Sequence, residues 1–136
     1  MKHLLSHSAE VLILLLLLIT FLQSALDKIF DWSGNLGWLK DHFSKTPFRN
    51  MVPLLLGIIA ILELVTGIVC FSGILQILNG GETNLALAGG ILACISLLLL
   101  LIGQRVAKDY DGARTLVIYF IPAVLLVFLL QSSGMT

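Results

Sequence analysis

The sequence predicts an all-α integral membrane protein, a four-helix bundle formed by a single transmembrane domain. Hydrophobic residues make up 58% of its 136 residues and charged residues 12%, whereas soluble domains carry about 25% charged residues. The apolar residues are gathered into four long blocks, and a helix of roughly 20 apolar residues can cross a hydrocarbon core of about 30 Å. The predicted spans cover residues 7–30, 51–78, 84–104 and 113–131.

The first span is expected to be retained rather than removed as a signal peptide. Its leucine-rich run "VLILLLLLITFLQSAL" follows Lys2, but Glu10 interrupts the positive segment that a signal peptide requires. The stretch "LQSALD" also offers only a weak small-residue cleavage site. We therefore expect this block to act as a transmembrane helix.

The loop over residues 31–50 is the only connection long enough to have structure of its own. Trp32 and Trp38 occur where aromatic residues anchor membrane proteins at the interface. A short interfacial helix is expected here, with Trp38, Leu39 and Phe43 facing lipid. The loop would then serve either as an anchored re-entry segment or as a gate for a substrate.

Positive charges alternate between the two sides of the predicted bundle. The loops after the first and third spans, with their flanking residues, hold seven of the eight Lys and Arg residues. By the positive-inside rule these two loops are cytoplasmic and both termini face outward. The net charge is zero, so the chain has no global field that would attract nucleic acid, and no nucleic-acid partner is expected.

Glu63 lies near the midpoint of the second span, inside the apolar stretch "AILELVTGIVC". A charged side chain at the bilayer centre costs about 2.5–3.5 kcal/mol on insertion scales, so such residues usually face the protein interior. Helical spacing places Glu63 on one face with Thr66, Gly67 and Cys70. An apolar environment disfavours the charged form of a carboxyl. We therefore expect Glu63 to face the bundle, where another polar group can contact it.

The cytoplasmic ends of the four spans bring further polar residues together between Glu63 and the membrane surface. Together they predict a polar pocket in which Glu63 is the proton-accepting candidate. The predicted ligand-binding residues are Gln23, Ser24, Asp27, Lys28, Gln104 and Arg105. The alternative is a packing role, in which a neutral Glu63 is hydrogen-bonded to Gln23 or to a backbone carbonyl.

The remaining chemistry-bearing residues give weaker signals. Cys70 and Cys94 fall at similar predicted depths and could form a redox pair, although isolated buried cysteines commonly behave as small hydrophobic residues. The three histidines, His3, His7 and His42, show no ligand spacing. No metal or haem site is therefore predicted.

Three short stretches in the first two spans resemble the DoxX family of small four-helix bacterial membrane proteins. They are "LQSALDKIFDWSG", "TPFRNMVPLLLG" and "ELVTG". Ala25 stands where the family often has glycine, and His7 and Glu10 stand where it often has arginine. Glu63 and Lys28 match the family's recurrent polar positions.

The resemblance implies a function at a bacterial inner membrane. Some members are similar to subunits of quinone-linked oxidoreductases, including thiosulfate:quinone oxidoreductase, and others are linked to redox-stress complexes. The resemblance therefore implies that Glu63 and Lys28 make quinone or proton contacts.

Three functions are compatible with these observations. The first is an electron-transfer subunit that binds a quinone non-covalently and receives electrons from a partner. The second is a non-catalytic subunit that assembles a larger membrane complex, and the third is a carrier for a lipid or small acid. Besides membrane lipids, the expected partners are a larger membrane protein complex or further copies of the same chain.

Overall fold

A computed structural model describes residues 2–134 of the chain, and every regular element in that range is a helix. Four of these helices are long and apolar enough to cross a membrane, and they correspond to the four predicted spans. The all-α membrane bundle is thereby confirmed. The helices are α1 (Lys2–Ser6), α2 (Ser8–Phe30), α3 (Trp32–His42), α4 (Val52–Gly80), α5 (Asn84–Val106) and α6 (Tyr110–Gly134).

The ends of the long helices follow from local chemistry. Helix α4 begins with Pro53 in its first turn, where the missing N–H is harmless. Its last residue, Gly80, is followed by the capping residue Gly81, whose φ of 74° lies in the left-handed region that favours glycine. Helix α6 begins three residues earlier than predicted, because Asp109 Oδ1 accepts a hydrogen bond from the N–H of Gly112 at 2.9 Å and caps the first turn.

The long helices pack as sequential antiparallel neighbours in the order α2, α4, α5 and α6, and contacts between α2 and α6 close the bundle. Small residues bring α4 and α5 together. A Cβ placed on Gly73 would lie 2.7 Å from the Cα of Ala86, and one placed on Gly89 would lie 3.0 Å from Cys70 Sγ. Such close approach is typical of helix contacts in membranes, where dispersion forces replace the hydrophobic effect as the driving force.

Both cysteines are free thiols in this arrangement. Cys70 is buried against Gly89, and Cys94 is partly buried at the edge of the same apolar core. The redox pair considered from their depths is therefore not formed in this structure. Cys70 instead acts as a small apolar residue that fits beside a glycine.

The loop between the first two spans contains the expected short helix, α3, none of whose residues is buried. Trp38 is exposed, as the sequence predicted. Leu39 and Phe43, by contrast, line a cavity beneath the helix rather than facing away from the protein. The reason is that the chain turns back directly after His42, so the end of α3 folds over the start of α4.

Candidate functional site: a buried ion pair beside an apolar cavity

Glu63 faces the bundle interior, as its position in the sequence predicted. It is 1% exposed and shares the buried face of α4 with Thr66, Gly67 and Cys70. Gly67 lies against the backbone of Leu22, with 3.5 Å between an added Cβ and the Leu22 nitrogen. Helices α2 and α4 are therefore close enough here for a side chain on α2 to reach the carboxylate.

The partner of Glu63 is Lys28, in the last turn of α2. Lys28 Nζ lies 2.8 Å from Glu63 Oε1 and donates a hydrogen bond to Ser24 Oγ at 2.7 Å. The Lys28 side chain is only 18% exposed, so the ammonium turns inward instead of extending to the surface. The Lys28–Glu63 distance is that of an ion pair between an ammonium and a carboxylate.

This pair explains how a carboxylate is retained at such depth. Removing two charges from water costs several kcal/mol per ion, and their mutual attraction offsets that cost only when they are in contact. The pair as a whole is neutral, so neither charge is left uncompensated in the apolar bundle. An ion pair is a costly way to pack two helices together. Apolar residues of equal volume often stabilise a protein as well or better.

An apolar cavity of about 280 Å³ adjoins the pair. Lys28 forms part of its wall, whereas Glu63 lies behind Lys28 and outside the lining. Ile58 on α4 and Ile102 on α5 also line the cavity, and they are 48% and 55% exposed. Because both residues belong to helices able to span a membrane, these two lining side chains reach the surface that lipid would cover.

A second group of polar residues lies at the His42 side of the cavity. His42 Nε2 is 3.1 Å from Gln104 Oε1 and 3.6 Å from Asp109 Oδ2. The imidazole stacks on Trp38 with 4.5 Å between ring centroids and meets Phe43 edge-on at 5.1 Å. These contacts join the end of α3 to the turn between α5 and α6, and they hold the His42 ring in one orientation.

The predicted site residues fall into three groups. Lys28 and Gln104 line the cavity, and Ser24 and Glu63 contact Lys28 from behind. The others lie elsewhere. Gln23 and Asp27 are exposed, and the exposed Arg105 stacks over the Tyr110 ring at 4.9 Å from its centroid.

His42 and Asp109 are the polar residues near the cavity that the sequence did not single out. The sequence around each residue indicates only contacts with near neighbours in the chain. Trp38, His42 and Phe43 are spaced so that an α-helical turn brings their rings together. Asp109 directly precedes the helix that it caps. Neither signal reveals that these residues meet, because 67 positions separate them along the chain.

Comparisons with protein-family models, with curated proteins and with solved structures find no match to this chain. The resemblance to the DoxX family therefore stays a prediction from the three stretches quoted above.

Proposed function

We propose that this chain is a DoxX-like, quinone-binding subunit of a membrane oxidoreductase, and that its ligand occupies the cavity beside Lys28. The observation that carries the proposal is the largely buried Lys28 side chain in the wall of a mostly apolar cavity. Small-molecule sites are mostly apolar, with a few polar groups that fix the orientation of the ligand. Lys28 can donate a hydrogen bond to a carbonyl oxygen, and the apolar walls suit a substituted ring.

The charge of the site favours a neutral ligand over an acid. Glu63 already neutralises Lys28, and Asp109 is the carboxylate closest to His42. An anionic ligand would have to displace Glu63 and leave that carboxylate buried without its partner, which costs several kcal/mol. A quinone adds no charge, so the ion pair remains intact when it binds. A quinone is therefore favoured over a small acid as the ligand of this cavity.

The size and the opening of the cavity fit a ring with an apolar tail. A volume of about 280 Å³ is just below the range of about 300–1,000 Å³ for small-molecule sites. It suffices for a headgroup but not for a long chain. A tail would leave between Ile58 and Ile102 into the lipid, in line with the exposure of both side chains.

The proposal assigns different roles to the two members of the ion pair. Lys28 contacts the ligand, and Glu63 holds the Lys28 ammonium in place and is the candidate acceptor for a proton. Electrons would come from a partner protein, since the cofactor chemistry must be supplied from outside this chain. By the positive-inside rule, the site lies toward the cytoplasmic side of a bacterial inner membrane.

The test uses Trp38 as a reporter, because it stacks on a residue of the cavity wall. In a Trp32→Phe background, Trp38 is the only tryptophan. The protein is placed in lipid nanodiscs and titrated with decylubiquinone, which quenches nearby tryptophan by electron transfer. We expect a saturable component of quenching in addition to the linear component from quinone dissolved in the lipid.

The decisive comparison is between two variants. Lys28→Met/Glu63→Gln removes both charges together, so neither is left unpaired, and it should abolish the saturable component. Lys40→Met removes an exposed ammonium from α3 and should leave that component unchanged. Saturable quenching that survives in the double variant would overturn the proposed site. Its absence from the parent protein would favour a non-catalytic assembly subunit.

A further inference from the structure

The segment over residues 36–50 covers one end of the cavity. It consists of the second half of α3 and the turns that lead to α4. Leu39, Phe43 and Phe48 of this segment line the cavity, so they face open space instead of a packed core. A side chain against a void forgoes part of the dispersion energy that holds other elements together. Since no residue of α3 is buried either, the segment is only weakly packed against the bundle.

Polar contacts join this segment to the rest of the bundle at one residue. In the part of the chain that the structure describes, the hydrogen bonds, ion pairs and ring contacts of residues 36–50 stay within residues 32–51, apart from two contacts of His42. Its Nε2 lies 3.1 Å from Gln104 Oε1 and 3.6 Å from Asp109 Oδ2. These partners belong to the end of α5 and to the turn after it.

We propose that residues 36–50 form a lid over the cavity, and that the two contacts of His42 with α5 and the following turn are the latch that keeps the lid shut. The other hydrogen bonds of the lid are local, so the lid can move as a unit without breaking them. Segments with few buried contacts open at a low free energy while the rest of the protein stays folded. The lid acts on whichever ligand the cavity binds, and in this it goes beyond the proposed function.

The position of the lid determines what it admits. Helix α2 ends at Phe30 and α4 begins at Val52, and both helices can span a membrane, so the lid that joins them lies at the membrane surface. An open lid therefore connects the cavity, and Lys28 in its wall, with water. Lids of this kind exclude water from a site until they open. The latch thus controls when water-soluble molecules and protons reach the cavity.

The experiment measures how fast a charged thiol reagent reaches the cavity, and it needs no quinone. Leu56→Cys, in a Cys70→Ala/Cys94→Ala background, places the only thiol in the cavity wall at a position that is 3% exposed. The reagent is a trimethylammonium methanethiosulfonate, whose fixed charge keeps it out of lipid, and the protein is held in lipid nanodiscs. His42→Phe keeps the ring contacts inside the lid but removes the latch. We expect it to speed modification about three- to tenfold, the contribution of one hydrogen bond to the closing equilibrium.

A second variant breaks the latch from the other side. Gln104→Met leaves His42 in place and removes its amide partner, so it should speed modification at Leu56→Cys by at least about twofold. Leu17→Cys is the matched control, because Leu17 is fully buried in the core and lies outside the cavity lining. Its thiol should stay unreactive in the parent protein and in both latch variants.

Faster modification at Leu56→Cys in either latch variant, with Leu17→Cys still unreactive, supports the lid. Acceleration at both positions would show that the variants loosen the whole bundle, and it would overturn the inference. Unchanged rates in both variants would overturn it too. So would modification of Leu56→Cys in the parent protein as fast as that of Ser44→Cys, which is exposed, because the cavity would then have no closed state.

The lid and the proposed function fail separately. Quenching by decylubiquinone tests whether a quinone binds beside Lys28, whereas thiol modification tests whether the latch closes the cavity. A quinone can bind although the lid has no latch, and a latched lid can cover a cavity that binds another ligand.

Discussion

The two halves of the bundle are built on different principles. In the half around Gly73, Ala86 and Gly89, which we call the packed half, small residues let α4 and α5 approach to backbone contact. In the half around Lys28 and His42, which we call the cavity half, a few polar side chains interrupt the wall of a mostly apolar cavity of about 280 Å³. Close packing leaves no room for a ligand, whereas the cavity half forgoes dispersion contacts that the packed half makes. The comparison shows that close helix packing and internal open space are separated along the bundle axis.

The largest effect on stability is expected from filling the closest helix contact in the packed half. In Gly73→Ala, the new Cβ would lie 2.7 Å from Ala86 Cα and 2.8 Å from its nitrogen. Since backbone atoms cannot move aside without shifting a helix, the free energy of unfolding should fall by about 3 kcal/mol. Gly80→Ala is the matched control, because nothing lies within 4 Å of its added Cβ. Unfolding in mixed micelles by SDS titration measures both, and equal stabilities would contradict the packing argument.

The next effect concerns the ion pair of the cavity half. Lys28→Met leaves the buried Glu63 carboxylate without its partner and should lower the free energy of unfolding by about 2 kcal/mol, less than for a fully buried pair because Lys28 is 18% exposed. Adding Glu63→Gln should recover most of that loss. The same SDS titration, run as a double-mutant cycle, gives the coupling between the two residues. Additive effects would show that the pair is not an energetic unit.

A smaller effect is expected from the polar contact between α4 and α5. Thr66 Oγ1 and Ser96 Oγ lie 3.3 Å apart, and each hydroxyl also lies within hydrogen-bond distance of a carbonyl oxygen of its own helix. Since a hydroxyl has one proton, one of the two donates across the contact while the other donates within its helix. Because Thr66 keeps the Leu62 carbonyl as an acceptor, Ser96→Ala should cost only about 0.6 kcal/mol, the average for such bonds between membrane helices. A loss above about 2 kcal/mol in SDS titration would mean that this contact organises the bundle.

A comparably small effect on stability, but a large one on quinone binding under the proposed function, is expected from filling the cavity. Leu55 lines the cavity, so Leu55→Trp can place the added ring in empty space and should change the free energy of unfolding by less than about 1 kcal/mol. Saturable quenching by decylubiquinone should nevertheless disappear. Leu14→Trp makes the same exchange at a fully buried core position and should destabilise the protein by about 1–3 kcal/mol. Equal destabilisation by the two substitutions would contradict the separation of the halves.

The sequence carried most of the information about the bundle. Four apolar blocks of sufficient length predict four spanning helices because the lipid interior requires every backbone polar group to be satisfied within the helix. The inward orientation of Glu63 was likewise predictable, since a carboxyl on the lipid side would be too costly. The start of α6 was harder to predict. The cap formed by Asp109 extends this helix beyond its apolar stretch, to Tyr110.

What the tertiary structure decided is which polar residues meet. Of the side chains on the α2 end, Lys28 points at Glu63, while Gln23 and Asp27, only a helical turn or so away, are exposed. The meeting of His42 with Gln104 and Asp109 joins residues more than 60 positions apart. Periodicity reports the face on which a residue lies, but helix rotation and depth depend on packing against neighbours. The sequence by itself therefore determined a membrane bundle with an inward-facing carboxyl, and only the packing of α2 and α3 on α4 and α5 decided its partner and the cavity beside it.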